Sequence, residues 1–176
     1  MNGILIETER FLLKALTEED VNKHYLDWIN DPNKSQYISY GDKRRSINEI
    51  CSYVAERSLN ESILFLGIFI RGSGAHIGNI KYEPIDFQKG FAIMGILIGE
   101  ENWRGKGVAS EVIKASSIWL NNTHGIQQII LGVDVRNINA IKAYQKCGFN
   151  LEETPYIEIN TEGQATMIWN LDKIQG

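Results

Sequence analysis

At 176 residues the chain suits one domain, spanning 1–176, with room for a substantial core. Its 43% apolar and 23% charged residues are globular values. The net charge of −4 argues against general binding to nucleic acid or an anionic membrane, although local basic clusters can still hold phosphates.

In chain order, Ile4-Leu5-Ile6 and then residues 11–16 read as a first strand. Thr17-Glu18-Glu19-Asp20 supplies an N-cap with acids in the first turn. Val21, His24, Tyr25, Trp28 and Ile29 follow at helical spacing, until Asn30-Asp31-Pro32, where proline stops the helix. Tyr37, Ile38 and Tyr40 fall in an irregular link. Ser46-Ile47-Asn48-Glu49 is a capping box for a second helix carrying Ile50, Tyr53, Val54 and Leu59. Residues 63–70 are nearly all apolar and predict a strand buried on both faces. Arg71-Gly72-Ser73-Gly74 turns the chain, 76–83 returns, and 84–90 is a second turn before the apolar strand 91–98. Val108, Ala109, Val112, Ile113, Ser116, Trp119 and Leu120 then mark one packed helix face, closed by Gly125. Residues 128–135 form a strand that a helix separates from 91–98, so the two should run parallel. A helix over 138–147 ends with Gly148 and apolar Phe149, the arrangement of a Schellman close. Residues 151–159 and 165–171 flank Asn160-Thr161-Glu162-Gly163 as a final hairpin. The expected fold class is α+β on a mixed sheet.

Cys51 and Cys147 have no metal-ligand spacing, and His24, His76 and His124 form no metal motif, so no metal is expected. Cys147 falls on a helix's apolar side and reads as a buried thiol in a reducing compartment. The N-terminus lacks the pattern of a signal peptide and no apolar run approaches a membrane span. The expected location is the cytoplasm.

The stretch Gly99-Glu100-Glu101-Asn102-Trp103-Arg104-Gly105-Lys106-Gly107-Val108-Ala109-Ser110 joins an apolar strand to a helix. Such a turn aims backbone N–H groups and a positive helix end at an anion. Gly105 and Gly107 let the backbone approach a ligand, and Arg104 and Lys106 add cationic side chains. A Walker loop needs Gly-Lys-Ser/Thr, whereas Gly105-Lys106 runs into Gly107. A dinucleotide fingerprint lacks its third glycine, since Ser110 stands there, although Asp134 near the end of the next strand keeps that frame open. The frame Arg104-x-x-Gly107-x-Ala109 resembles the R/Q-x-x-G-x-G/A acyl-CoA pyrophosphate loop of the GCN5-related N-acetyltransferases. Asn137-Ile138-Asn139-Ala140-Ile141-Lys142-Ala143-Tyr144-Gln145-Lys146-Cys147-Gly148-Phe149 is similar to that superfamily's second hallmark, one helix and one strand later. Trp28-Ile29-Asn30-Asp31-Pro32 resembles the branch containing ribosomal-protein N-terminal acetyltransferases and several small-molecule amine acetyltransferases.

The resemblance implies a mostly antiparallel sheet with one parallel pair splayed at the acyl-CoA site. It implies an enzyme that moves acetyl from acetyl-CoA to a primary amine by direct attack in a ternary complex. The acceptor is a small-molecule amine, such as an amino sugar or polyamine, or a protein N-terminus. Residues Arg104, Gly105, Lys106, Gly107, Val108, Ala109 and Ser110 would hold the pyrophosphate. An amide among Ile96, Leu97 and Ile98 would face the thioester carbonyl, with Gly95 suited to a bulge. Asn137 and Ala140 would border the cofactor arm, Asn137 being equally suited to a plain helix cap. Tyr144 corresponds to the tyrosine that protonates the departing thiolate, and could instead fill the core. Ile93 stands where relatives often carry a glutamate, so Glu83 is the first candidate base and Asp86 the second, each also readable as a solvated acid. Trp28 and Tyr37 are candidate acceptor contacts. A catalytically silent acyl-CoA sensor and a dinucleotide-binding oxidoreductase are the alternatives. The protein would act as a monomer or homodimer.

Overall fold

The computed structural model describes residues 3–31, 44–159 and 162–171. Pro32, Tyr37, Ile38 and Tyr40 lie outside them, as do Asn160 and Thr161. The described strands are β1 (Leu5–Glu7), β2 (Phe11–Ala15), β3 (Leu64–Ile70), β4 (His76–Asp86), β5 (Phe91–Ile98), β6 (Gln128–Asp134), β7 (Asn150–Leu151) and β8 (Gln164–Asn170). The described α-helices are α1 (Lys23–Asn30), α2 (Ile47–Ser58), α3 (Val108–His124) and α4 (Ile138–Cys147). One eight-stranded sheet has the order β1-β2-β3-β4-β5-β6-β8-β7, with β5 and β6 its parallel pair.

Several elements follow from local chemistry. Ser46 and Glu49 form the reciprocal capping box of α2, with Ser46 N–H donating to Glu49 at 2.7 Å. The Phe149 amide reaches the Tyr144 carbonyl and the Gly148 amide that of Gln145, closing α4 as a Schellman motif around Gly148 at φ +113°. Other elements depart from expectation. The first strand is two, folded back antiparallel on each other. Thr17 caps only a short 3-10 turn, and Asn22 caps α1 by accepting from the Tyr25 amide. β4 continues through Pro84 to Asp86 instead of turning there. The predicted strand 151–159 shrinks to β7. Past Leu151 one more amide, that of Glu152, reaches β8 at the Thr166 carbonyl, and Pro155 cannot donate to a ladder.

The sheet has two dissimilar faces. On one, Val108, Val112, Ile113 and Leu120 of α3 and Cys147 of α4 pack onto Ile80, Tyr82, Met94, Ile129 and Leu131 in the main core. The fully buried Tyr82 hydroxyl bonds Ser116 and Ser117 of α3 at 2.8 and 3.0 Å, so β4 is fixed to that helix by polar as well as apolar contacts. On the other face, Tyr25 and Trp28 of α1 and Ile50 and Val54 of α2 form a second cluster with Leu16, joined by Phe65 and Leu97. Further along that face, Phe91, Ile130 and Ile168 form a third cluster with Ile93 and Ile157, and Tyr156 stacks on Phe91 at 4.0 Å.

Candidate active site

The parallel pair β5·β6 holds for only three positions, Phe91↔Gln128, Ala92↔Ile129 and Ile93↔Ile130. Beyond them β5 stays paired to β4 as far as Gly78↔Ile98, and β6 stays paired to β8 as far as Asp134↔Gln164. Each strand therefore keeps its outer partner and loses the inner one. Residues 94–98 are left with one unbonded edge facing a cleft.

Alternation along β5 decides which of its backbone groups face that cleft. The Gly90 carbonyl takes the Gln127 and Gln128 amides on the β6 side, and the Gly99 amide donates to Ile77 on the β4 side. Even-numbered residues thus present their backbone to the cleft. Ile96 turns both its N–H and its C=O there, and Ile98 its N–H, since the Ile98 carbonyl accepts from Arg104 Nε at 3.2 Å. Leu97 is turned to β4, and its side chain joins the α1/α2 cluster, which removes it from the candidate oxyanion donors. The expected bulge at Gly95 is also corrected, because Gly95 pairs in register with Lys81. The register slips where Glu83 and Pro84 of β4 together face Ile93, and proline has no N–H to complete the ladder there. Gly95 leaves open space instead. A β-carbon on it, or on Gly132 of β6, would meet nothing within 4 Å among the described residues. Both open on the face that carries α1 and α2.

At the C-terminal end of β5, Gly105 and Gly107 adopt φ +70° and +76°, a left-handed backbone that glycine enters without strain. Gly107 stands at the N-cap of α3 and offers no side chain to it, so the first amides of a seventeen-residue helix lack a side-chain cap. The side chains of Arg104 and Lys106 are exposed, that of Val108 belongs to the core, and Ala109 and Ser110 are half-buried. Asn137 caps α4, its side chain accepting from the Ala140 amide at 3.2 Å, so that group is engaged within the helix. Tyr144 lies with Ala140 and Ile141 against the main core, its ring 5.9 Å from Phe149. Among the described residues its hydroxyl has no hydrogen-bond partner. Burial, with the Cys147 thiol adding to it, pushes its pKa up to about 12.

The two acceptor contacts expected from sequence fare differently. Tyr37 lies outside the described residues. Trp28 is buried, and its Nε1–H donates to Glu100 at 3.0 Å, while His24 Nε2 meets the same carboxylate at 2.5 Å. Its ring packs directly on Gly99. Trp28 thus braces the loop between β5 and α3, beside a cleft of about 280 Å³ also lined by Asn22, His76 and Trp103.

Glu83, the first candidate base, is engaged in ion pairs. Its carboxylate is held by Lys81 Nζ at 2.5 Å and by Arg57 Nε at 3.1 Å. Burial would raise its pKa, but the hydrogen bond and charge of Lys81, then those of Arg57, outweigh it and keep the carboxyl below its ordinary value. A carboxylate so held is a weak base. By the same sign it stabilises the fold above its unfolded pKa and ceases to do so as pH falls through the folded one. Asp86 accepts the Gln88 and Lys89 amides of the β4–β5 turn. Sequence reasoning missed Arg10 and Glu111, which form a 2.7 Å ion pair beside the glycine turn from positions about a hundred residues apart, and no local pattern announced them.

A parallel pair that parts beside a glycine turn and an uncapped helix leaves room for an extended ligand with an anionic end, and comparison with known proteins names the family. The acetyltransferase (GNAT) domain model matches residues 10–150, and the chain belongs to that family of acyltransferases. The dinucleotide alternative lapses with this result. An uncharacterized N-acetyltransferase, p20 of Bacillus licheniformis, is 24% identical over 148 residues, 82% of each chain. Among solved structures, the ribosomal L7/L12 alpha-N-protein acetyltransferase RimL in complex with coenzyme A superposes with a TM-score of 0.79 at 17% identity, covering 94% of this chain and 96% of that one. Spermidine N-acetyltransferase from Vibrio cholerae, in complex with CoA and spermine, gives 0.77 at 21%, covering 93% and 96%. Among the described residues no helix is long and apolar enough to cross a membrane.

The bracing of the loop generates a prediction. A β-carbon on Gly99 would run into the Trp28 ring. Gly99→Ala should push the indole off Glu100 and destabilise the fold by about 1–3 kcal/mol, read by urea denaturation. An unchanged unfolding midpoint would show that the indole does not brace the loop.

Proposed function

We propose that this protein transfers an acetyl group from acetyl-CoA to a primary amine by direct attack within a ternary complex. The observation that carries the reading is the cleft between β5 and β6, which ends at a left-handed glycine turn and an uncapped helix. The amides at the start of α3 bind the diphosphate of the cofactor, each favourable helix-end contact adding about 0.3–1 kcal/mol. The pantetheine arm lies between the parted strands and bonds the Ile96 backbone in place of the lost partner strand. The Ile98 or Ile96 amide faces the thioester carbonyl as charge develops on it. The acceptor approaches over Gly95 and Gly132, where a β-carbon would meet nothing within 4 Å among the described residues. Acetyl-CoA and two free cysteines suit the cytoplasm. The acceptor is a small-molecule amine or a protein N-terminus, and a thiol-release assay with acetyl-CoA across amine classes identifies it. No thiol release with any amine would overturn the reading.

As the neutral amine adds to the thioester carbonyl and the C–S bond breaks, Tyr144 gives its proton to the departing thiolate, and the proton shed by the nitrogen passes to solvent, from which the phenolate is reprotonated. With its pKa near 12 the phenol stays protonated throughout the working range, and its acid form is lost only as pH rises through that value. Tyr144→Phe keeps the ring's packing and should lower kcat by ~10²-fold with acetyl-CoA affinity little changed. A variant as fast as the parent would leave Tyr144 as core filler.

Of the carboxylate positions named above, Glu83 is held in ion pairs and position 93 is apolar isoleucine, so neither offers a ready base for the amine proton. The enzyme therefore takes up the neutral fraction of the acceptor, about a thousandth at pH 7 for an amine of pKa ~10. The rising limb of kcat/KM should follow the pKa of whichever amine is supplied, and Glu83→Gln should leave that limb in place. A limb fixed by the enzyme across several amines, and abolished in Glu83→Gln, would restore Glu83 as the base.

A further inference from the structure

The glycine turn is held from outside by a residue that its own sequence does not contain. Arg10, at the entry to β2, donates from Nη1 to the Lys106 carbonyl at 3.0 Å. It donates from Nε to Glu111 Oε2 at 2.7 Å and from its backbone N–H to Glu111 Oε1 at 2.9 Å. The Thr8 hydroxyl adds a third bond to that carboxylate at 2.6 Å, and Arg71 Nη1 fixes the Thr8 carbonyl at 2.8 Å. The guanidinium stacks over Phe11 at 4.9 Å, and its Nη2 lies 3.6 Å from where a β-carbon on Gly107 would stand. The network joins β2, the turn and the first turn of α3.

Two physical consequences follow. In a trans peptide the carbonyl of one residue and the N–H of the next point in opposite directions. Pinning the Lys106 carbonyl toward Arg10 therefore turns the Gly107 N–H away from Arg10, out of the turn. Glu111, meanwhile, is an acid in the first turn of α3. That charge suits the helix but repels any second anion brought to the same end. Arg10 sits on it.

We infer that Arg10 is a positioning residue for the acyl-CoA diphosphate, aiming the Gly107 amide and neutralising Glu111 so that the helix end can accept a second anion. This rests on the acetyl-CoA reading above. Arg10 does not touch the reacting atoms, so it governs cofactor affinity and leaves the chemical step alone.

The test separates this role from a structural one. Arg10→Ala should raise the KM for acetyl-CoA about tenfold while kcat at saturation stays within twofold. In the Arg10→Ala background, Glu111→Gln removes the uncovered charge and should recover at least threefold of the lost affinity. A purely structural tether predicts the opposite, because the second substitution deletes further bonds. Thermal unfolding of each variant confirms that a folded protein is compared, and Arg10→Lys, which keeps one charge without the fork, should fall between the parent and Arg10→Ala. A folded Arg10→Ala with unchanged KM, a kcat loss matching the KM change, or a double variant no better than the single would each overturn the inference. Gly107→Ala tells which reading has failed. If it weakens acetyl-CoA while Arg10→Ala does not, only the role of Arg10 falls. If the parent protein does not bind acetyl-CoA at all, the cofactor reading itself falls.

Discussion

Two adjacent parallel strands that stop pairing after three residues create a problem the rest of the molecule is arranged around. Buried backbone N–H and C=O groups need partners, and an orphaned amide costs about 1–3 kcal/mol. β5 and β6 can part because each is held on its outer side, β5 by β4 on both sides of the slip at Ile93 and β6 by β8 from Gln128 to Asp134. The outer pairings are held in turn by the helices. Tyr82 ties β4 to α3 through Ser116 and Ser117, and α4 seats Cys147 in the same core. The cleft is thus enforced by what lies beside it, and a ligand with its own amide-like donors and acceptors is the natural partner for the edge left open.

The helix end next to that edge obeys the same logic. Gly107 gives α3 no capping side chain, so its first amides point out unsatisfied by the helix itself. Leaving them open requires that the loop in front be rigid by other means. It is braced twice, by Trp28 and His24 on Glu100 and by Arg10 on Lys106 and Glu111. Both braces come from the N-terminal third of the chain and set the geometry of the loop in front of α3.

The acceptor side is less polar than the usual requirements of amine acetylation would lead one to expect. Ile93 is apolar, Glu83 is engaged by two cations, and Gly95 and Gly132 present no side chain. Such a site does little to remove a proton from an ammonium group. On the acetyl-transfer proposal, rate would come from orienting an already neutral amine against a polarised thioester, which would place the chemistry on positioning and on the oxyanion amide.

The amino-acid sequence by itself determined the elements whose signals lie within three or four residues, namely the Ser46–Glu49 capping box, the Schellman close at Gly148 and Phe149 and the glycine turn before α3. These are local hydrogen bonds and steric preferences, written in adjacent residues. The parallel sense of β5 and β6 followed from the helical periodicity between them. The branch point of the cleft, the extra residue of β4 opposite Ile93, the brevity of β7 and the turning of Leu97 away from the cleft were decided by register between strands. The engagement of Glu83 by Lys81 and Arg57, and of Glu111 by Arg10, was decided by packing. A free carboxylate and a paired one read the same in sequence, because charge pairing depends on which distant side chains the finished fold brings within about 4 Å.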